Sequence, residues 1–533
     1  MSKASSIQCC MRIVPWILVF ILAGTAPGRS EPSLNEILEA CEYLHPGDIP
    51  LGSFQPPSTA VYVATTGNDA SEGTSVETPF EHLEKAIEYA NGRPEVPLTI
   101  YLRGGTYLFK DPKIHPDNPY LRLQRGNLYL TSYPGEEAVI RPYYWPGNPS
   151  EYGDERAFEI SGSFENITFD RLRFEGWSVI FSPGSPLETP SLKNLTIQNI
   201  TAGHFTRRNG EPSYGTMFIE TGYLDNDVYG EGKQIFDNPG TAHYQIEGLI
   251  LSNITAENLD LPVNIGDEND ANVKGLRITH FDVFNPPGAP GDSASDAFAV
   301  VNSYKILIDH CRIMNIRDDG IDTKGYDVAV VNTYIEGTGR NAVKFWKNGE
   351  MINTILYNCT QIDDGAVVVK DGPFRMIHSV LLGHPVGYAG TCGYDTASPL
   401  TTRFEVVNSV FSQVKSFFVT TDNIQILNNR YGEILEDANL YSGFYEVETV
   451  EELNRLPLCG GNAMSPLQFT DPEHGDFSLV SGSSWIDAGA SGGIRLPSFD
   501  FYGNPRTAGG NVDIGPVEFG FIPPAGMANW MAF

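Results

Sequence analysis

One short phrase recurs along this chain from about residue 160: a short β-branched run, an Asn or other polar turn residue, then a second short run. The first aliphatic residues of successive copies are separated by 27, 30, 22, 24, 25 and 29 residues; they are Leu249, Leu276, Ile306, Val328, Ile352, Ile377 and Val406. A repeat of about 20–30 residues built from short strands is typical of solenoids. The sequence therefore predicts a parallel β-solenoid.

Two other architectures fit this pattern less well. Ankyrin and tetratricopeptide repeats are built from amphipathic helices, and the repeated phrase shows no helical periodicity. A β-sandwich alternates its strands around hairpin turns and does not keep one phrase in register. The expected fold class is therefore all-β.

The two ends of the repeat carry different patterns. Before it, a strand at 61–63 is followed by an amphipathic helix from Leu83 to Ala90, which would cap the exposed edge of a terminal coil. After it, the short phrases at 476–479, 486–489, 500–503 and 513–519 form a closing segment. The long interval between Leu195 and Leu249 contains 210–242, rich in Gly, Tyr, Asp and Asn, which we interpret as a loop leaving the rod.

We expect the following organisation: a signal peptide at 1–30, an N-terminal extension at 31–60, a parallel β-helix domain at 61–519 and a C-terminal tail at 520–533. Within the domain, the cap is expected at about 61–110, the coils at about 155–440 and the closing segment at about 465–519.

The first 30 residues have the pattern of a secretion signal. Basic residues precede an apolar run at 13–22, which is too short to span a bilayer, and small residues follow it. A secreted or periplasmic protein is expected, with no membrane contact after the signal is removed. The net charge is −31, and loss of Lys3, Arg12 and Arg29 makes it −34. Such acidity argues against nucleic acid as a partner, because phosphate binding needs a basic surface.

A cluster of aspartates stands out within the repeat, in Arg317-Asp318-Asp319-Gly320-Ile321-Asp322. One coil of 22 residues would place Asp296 over Asp318 and Asp322 beside Lys344. Because side chains alternate along a strand, Asp322 and Lys344 would point out of one face. Four carboxylates beside one amine repel one another, so a hard cation is expected, and clustered Asp oxygens suit Ca²⁺ better than zinc.

Simpler interpretations of these residues are ordinary turn chemistry for Asp-Asp-Gly and an exposed lysine paired with Asp322. The local charge favours a functional site. Residues 303–375 contain nine basic and ten acidic side chains, a net of −1 in a very acidic chain. Cations in this stretch would attract an anionic ligand that the rest of the protein repels, and Trp346 adds a platform for a sugar ring. The candidate cations are Arg312, Arg317, Lys324, Arg340, Lys347, Lys370 and Arg375.

The opening and closing phrases resemble those of secreted right-handed parallel β-helix proteins, many of which are polysaccharide lyases. The Asp-Asp-Gly-x-Asp segment and the lysine one coil later resemble family 9 of these lyases, the calcium-dependent pectate lyases. Arg340 and Ala342 stand where that family tends to have Asn and Gly. The resemblance implies a right-handed, single-stranded parallel β-helix with an N-terminal helical cap and long loop insertions.

The resemblance also implies roles for individual residues. Asp318, Asp319 and Asp322 would bind Ca²⁺, with Asp296 as a candidate fourth ligand and Asp292 as its alternative. Lys344 would be the base in a β-elimination that cleaves a uronic-acid-containing polysaccharide.

Further basic and aromatic residues would assist this reaction. Arg340 or Lys347 would lower the pKa of Lys344, and Arg375 would stabilise the developing enolate. The expected substrate-binding residues are Lys324, Trp346, Lys347 and Lys370. A monomer acting on an acidic polysaccharide is expected.

Two rival functions remain open on the same fold. An inverting glycoside hydrolase would use Asp318, Asp319 and Asp322 and would need no lysine base. A non-catalytic, carbohydrate-binding surface solenoid would bind Ca²⁺ for stability alone.

Overall fold

The computed structural model describes residues 31–50, 52, 54–109, 121–142, 156–177, 179–184, 192–203, 217–221, 244–257, 259, 261–266, 272–285, 296–359, 366–370, 372–383, 391–393, 403–414, 417–419, 423–433, 440–443, 445–506 and 510–521. The expected signal peptide and Asp292 lie outside these residues. The described helices are α1 (Leu34–Ala40), α2 (Leu83–Asn91) and α3 (Val450–Leu453), with a 3₁₀ turn at Pro472–His474.

The described strands, in chain order, are β1 (Ala60–Val63), β2 (Leu98–Leu102), β3 (Gly105–Phe109), β4 (Leu121–Leu123), β5 (Leu128–Ser132), β6 (Ala138–Pro142), β7 (Arg156–Ser161), β8 (Glu165–Glu175), β9 (Val179–Gly184), β10 (Leu192–Gly203), β11 (Met217–Thr221), β12 (Ile246–Glu257), β13 (Val263–Ile265), β14 (Val273–Phe284), β15 (Phe298–Asp309), β16 (Arg312–Met314), β17 (Ile321–Val331) and β18 (Tyr334–Glu336). They continue with β19 (Val343–Phe345), β20 (Gly349–Ile352), β21 (Ile355–Tyr357), β22 (Val367–Val369), β23 (Phe374–Ile377), β24 (Val380–Leu382), β25 (Thr391–Gly393), β26 (Phe404–Val407), β27 (Val410–Ser412), β28 (Phe417–Val419), β29 (Ile424–Leu427), β30 (Arg430–Tyr431), β31 (Tyr441–Gly443), β32 (Cys459–Gly460), β33 (Ala463–Met464), β34 (Phe469–Asp471) and β35 (Asp476–Leu479).

The strands from β1 to β33 pair in parallel with the strands one coil before and one coil after, and so form a parallel β-helix with three faces. The first face runs through β13, the start of β15, the start of β17, β19 and β22. The second runs through the ends of β15 and β17, then β20, β23 and β26. The third runs through β16, β18, β21 and β24. The predicted all-β solenoid is confirmed.

The interior of the coils is apolar, and similar side chains stack from one coil to the next. Leu249, Leu276 and Ile306 occupy one register position in successive coils and are fully buried, and the in-register rings of Phe374 and Phe404 have centroids 5.6 Å apart. Such stacking explains why the repeated phrase keeps its aliphatic and aromatic positions. Each apolar side chain packs on its equivalent in the adjacent coil, and burial of these side chains stabilises the rod.

Asparagines occupy many corners of the coils, in a backbone conformation that most residues avoid. Asn166, Asn194, Asn199, Asn253 and Asn358 all have φ between 49° and 60°. Asparagine tolerates this left-handed region because its short side chain forms local hydrogen bonds. Asn194 donates to Asn166, in the preceding coil, at 3.1 Å. The Asn residues of the repeated phrase therefore set the turns of the solenoid.

The segment 210–242, predicted as a loop, is only partly described. Its residues 217–221 form β11, which pairs with β9 and β13 on the first face. Leu195 pairs directly with Leu249, so the long interval between them is one enlarged coil. The interpretation of the whole segment as a loop was therefore wrong for β11, which adds a regular strand to the rod.

Three segments cover the ends and sides of the rod. Helix α2 caps the N-terminal coils with buried Leu83, Ala86, Ile87 and Ala90, which confirms the predicted helical cap. The segment containing α1 packs Leu38 and Leu44 on the outer side of the second face. The closing segment packs Trp485, Phe501 and Ile514 on side chains of the third face. None of the helices in the described part of the chain has the length and apolar character needed to span a membrane.

Candidate functional site

Asp322 and Lys344 lie side by side on the first face. β17 and β19 align Ile321 with Val343, Asp322 with Lys344 and Thr323 with Phe345. Ile321 and Val343 are fully buried, whereas the side chains of Asp322 and Lys344 are each 13% exposed and point outward. Nζ of Lys344 is 3.9 Å from Oδ2 of Asp322. The predicted outward pair is therefore present.

Asp296, Asp318 and Asp319 form a compact group at the turns that precede these strands. Each offers a carboxylate oxygen, and these oxygens lie within 4.8 Å of one another. The backbone N–H of Asp319 donates to Oδ1 of Asp296 at 3.1 Å. These three of the four predicted acidic residues thus come together, and Asp322 joins them through Lys344.

The predicted stacking of Asp296 on Asp318 is wrong by one residue. β15 and β17 align Phe298 with Ile321, an offset of 23 residues, and the N–H of Ala297 donates to the carbonyl of Asp319 at 3.0 Å. Asp296 therefore faces Asp319 along the backbone. The extra residue lies in β15, at the corner between Val301 and Tyr304, where the offset to β17 changes from 23 to 22 residues.

Asp319 is the central residue of the group. One of its oxygens accepts a hydrogen bond from Nζ of Lys344, and the other accepts one from the backbone N–H of Asn341 at 2.8 Å. The side chain of Asp319 is almost completely buried. The hydroxyl of Thr323 donates to the carbonyl of Lys344 at 2.8 Å and fixes the strand that carries the amine. Lys344 is thus held between Asp319 and Asp322 by the adjacent coil.

Burial and mutual repulsion change the protonation of these side chains. Burial, followed by the charges of Asp319, Asp322 and Asp318, raises the pKa of Asp296 to about 8. Burial also raises the pKa of Asp318 and of Asp322, although Arg340 and Lys344 respectively oppose these rises.

Lys344 responds to the same surroundings. Burial acts to lower its pKa, but the charges of Asp322 and Asp319 outweigh burial and raise it. The pKa of about 8 leaves the carboxyl of Asp296 mostly protonated at neutral pH.

The donor set fits a hard divalent cation. All the candidate ligand atoms are carboxylate oxygens, which Ca²⁺ prefers, whereas zinc would favour His or Cys. Oδ1 of Asp322 is buried and accepts no hydrogen bond among the described residues. Oδ1 of Asp318 lies 3.3 Å from Nη1 of Arg340 without the geometry of a hydrogen bond. Buried oxygens in this condition are destabilising unless a cation or a proton neutralises them.

A second column of side chains runs beside Asp322 and Lys344, two residues further along each strand. The N–H of Trp346 donates to the carbonyl of Thr323 at 3.0 Å, and that of Lys370 to the carbonyl of Phe345 at 2.8 Å. Lys324, Trp346 and Lys370 are therefore neighbours in successive coils. Nζ of Lys370 lies 3.4 Å from the centroid of the Trp346 ring, and Nζ of Lys324 lies 4.9 Å from it.

The other two cations predicted near Lys344 lie at the edges of this surface. Arg340 contacts Asp318, as described above, and so lies at the acidic group. Lys347 follows Trp346 at the turn, with Nζ 5.9 Å from the centroid of the Tyr326 ring.

The structure does not bring Arg375 to Lys344, so the role predicted for it was wrong. Arg375 is on β23 of the second face, with a side chain only 1% exposed. It donates to Glu350 at 2.8 Å and to Glu405 at 3.0 Å. A guanidinium enclosed in this way cannot reach a substrate on the first face. The repeat contained the signal, because Glu350, Arg375 and Glu405 occupy the same position of the phrase in consecutive coils.

Comparisons with known proteins leave the family open. No family model matches the chain, and a search of curated proteins finds no significant match. Among solved structures, the pectate lyase Pel9A matches at 14% identity over 86% of this chain and 96% of its own, with a TM-score of 0.41. A rhamnogalacturonan lyase matches at 12% identity over 70% and 87%, with a TM-score of 0.37.

A protein described as a glycoside hydrolase also matches, at 8% identity over 76% of this chain and 96% of its own, with a TM-score of 0.31. A pectate lyase is thus among the structural neighbours. At such identities and TM-scores, these likenesses carry no inference about activity.

Proposed function

We propose that this protein is a lyase that cleaves a uronic-acid-containing polysaccharide by β-elimination, with Lys344 as the base. The observation that carries the proposal is the position of Lys344. Its amine is held outward on the first face between Asp319 and Asp322, and Asp296 and Asp318 extend the same acidic group. A lysine and several carboxylates in this arrangement provide a base beside a cation site.

The carboxylates would hold the cation. Asp296, Asp318, Asp319 and Asp322 supply the hard oxygen ligands, and two of them have a buried oxygen that accepts no hydrogen bond within the described chain. When bound there, Ca²⁺ would withdraw electron density from a uronate carboxylate and make the C5 proton of that sugar more acidic.

Lys344 would take the C5 proton. The electron pair of the C5–H bond then forms the C4–C5 double bond, and the bond from C4 to the glycosidic oxygen breaks. The leaving oxygen takes a proton from solvent, so the products are a shortened chain and an unsaturated uronide. A base must be neutral before it acts. The charges that raise the pKa of Lys344 belong to Asp322 and Asp319, which are the proposed ligands, and neutralising them favours the free amine.

The surrounding charge supports an anionic substrate. Lys324, Arg340 and Lys370 lie close to Lys344 in the part of the chain where acidic and basic residues nearly balance. Elsewhere the protein is strongly acidic and would repel a polyuronate. An acidic chain would therefore be steered to this surface.

A substrate panel tests the proposal. Purified protein is incubated with polygalacturonate, polymannuronate, polyguluronate and a glucuronate polymer, with added Ca²⁺ or with a chelator. The proposal predicts ultraviolet absorbance from an unsaturated product on at least one polymer, and its loss with the chelator. New reducing ends without that absorbance would indicate a hydrolase instead. Binding without any cleavage would indicate the non-catalytic solenoid.

A further inference from the structure

Trp346 is bracketed by two ammonium groups. Lys324 belongs to the coil before it and Lys370 to the coil after it, and both ammonium groups lie over the indole, at 4.9 Å and 3.4 Å from its centroid. All three side chains are partly exposed on the first face. A third ammonium group, that of Lys344, is in the neighbouring column two residues back along the strand. The indole is therefore covered by cations on the surface where we place the substrate.

This arrangement discriminates between charged and neutral sugars. A sugar ring that stacks on Trp346 must displace at least one ammonium group, because the two lysines already occupy the ring with cation–π contacts. A neutral sugar has no carboxylate with which the displaced ammonium groups could form an ion pair. A sugar chain with carboxylates close to the stacked ring gives each of them a charge-assisted hydrogen bond.

The spacing of the lysines indicates where those carboxylates must be. In-register strands of adjacent coils lie ~4.8 Å apart, so backbone positions two coils apart are separated by ~9.6 Å. Lys324 and Lys370 therefore reach carboxylates on either side of the ring that contacts Trp346. Such a ligand carries carboxylates on the sugar residues flanking the stacked one and runs along the rod axis at this point.

We propose that Trp346, Lys324 and Lys370 form a sugar-binding subsite that depends on charge. A sugar ring stacks on Trp346 only when carboxylates on the adjoining sugar residues form ion pairs with the two lysines, which then leave the indole. The subsite would make the protein selective for runs of free uronate over methyl-esterified or neutral stretches. This inference rests on the proposed function for its location beside Lys344, but it concerns binding alone.

Binding to a protein that cannot turn over tests the subsite. In a Lys344→Met background, the dissociation constants of hexagalacturonate and hexamannuronate and of their full methyl esters are measured by calorimetry. Further variants carry Lys324→Met with Lys370→Met, or Trp346→Ala, and Lys193→Met is the matched control. The Lys193 side chain is half exposed and is paired with Glu247 on another face. Circular dichroism confirms that each variant is folded.

The subsite predicts three results. The double lysine variant weakens binding of a free uronate about tenfold, as expected for the loss of two partly exposed ion pairs. The same variant leaves binding of the methyl ester unchanged or tighter, because the indole is uncovered. Trp346→Ala weakens binding of both forms, and Lys193→Met changes neither.

A change in tryptophan fluorescence provides a second readout. Among the tryptophans that the structure describes, Trp177 and Trp485 are buried in the core and Trp346 is partly exposed, so most of the response to the bound uronate is expected to disappear in Trp346→Phe. The inference is overturned if the double lysine variant binds free uronate as tightly as its parent, if Trp346→Ala has no effect, or if neither free hexauronate binds. The proposed function is judged separately, from the unsaturated product of the wild-type protein. Charge-selective binding without that product would refute the lyase and retain the subsite.

Discussion

Replacement of Arg375 by Met tests whether this residue is structural. The guanidinium is almost completely buried between Glu350 and Glu405, whose side chains are 0% and 1% exposed. It also donates to the carbonyl of Arg495 at 2.8 Å, in the closing segment. Glu350 in turn accepts hydrogen bonds from the backbone N–H groups of Glu42 and Tyr43. Arg375 therefore links the second face of the rod to the segment of α1 and to the closing segment.

The expected loss follows from the charges left behind. Removing one partner of a buried ion pair costs about 3–5 kcal/mol, because the remaining charge is uncompensated. Here Glu350 loses this cation, whereas Glu405 keeps its ion pair with Arg403, so we expect the lower part of that range for Arg375→Met. A triple variant with Glu350→Gln and Glu405→Gln leaves no such charge, and it should recover most of the loss.

The assay is urea unfolding followed by tryptophan fluorescence, since Trp177 and Trp485 are buried in the folded protein. Arg122→Met is the matched control. Its side chain is 48% exposed and paired with Glu159 at 3.2 Å, so a change within about 0.5 kcal/mol is expected. Turnover per folded molecule should be unaffected by Arg375→Met. A loss below about 1 kcal/mol, or a folded variant that has lost turnover, would refute this reasoning.

Three further predictions concern the cation, pH and the corners of the rod. At a Ca²⁺ concentration a hundredfold above the dissociation constant, the cation should stabilise the wild type by about 2.7 kcal/mol. Asp296→Asn should abolish this stabilisation. A thermal shift on Ca²⁺ titration that is the same in Asp296→Asn as in the wild type would contradict this. Burial acts to lower the pKa of His310, but the charge of Asp309 outweighs it and raises the pKa above 6.5. Stability from this pair should therefore be present below pH 6.5 and be lost as the pH rises through the raised pKa, so the urea midpoints of wild type and His310→Asn should converge at higher pH. Asn353 has φ of 49° and donates to Asn332 at 3.1 Å. Both Asn353→Ala and Asn353→Gly lose this hydrogen bond, but only alanine strains the backbone, so the alanine variant should be about 1 kcal/mol less stable than the glycine variant. Equal denaturation midpoints of the two variants would disprove this.

The sequence predicted the fold and the Asp322–Lys344 pair because both depend on one local rule. Within the repeated phrase, a side chain packs on its equivalent in the next coil, so a constant spacing places residues correctly. The rule failed where a turn changes length, as it does between Asp296 and Asp319. It failed again for β11, because an insertion hides the phrase from any fixed period.

Arg375 was misplaced for a different reason. Periodicity shows which side chains point outward, but it does not show what covers them. The second face is covered by the segment of α1, and Glu42 reaches Glu350 from 308 residues away in sequence. Contacts at such separations follow no repeat. The column Lys324, Trp346 and Lys370 does follow the repeat, which is why residues selected for charge and aromaticity alone proved to be neighbours.

The rate of unsaturated product formation by wild type, Lys344→Met and Lys193→Met tests the proposed reaction most directly. The substrate is the polyuronate that the wild type degrades, and Ca²⁺ binding is measured in parallel. Loss of a general base should lower the rate of Lys344→Met by roughly 10²–10⁴-fold, whereas Lys193→Met should match the wild type. Ca²⁺ should still bind Lys344→Met, because the carboxylates remain. A Lys344→Met protein that turns over at the wild-type rate would contradict the assignment of Lys344 as the base.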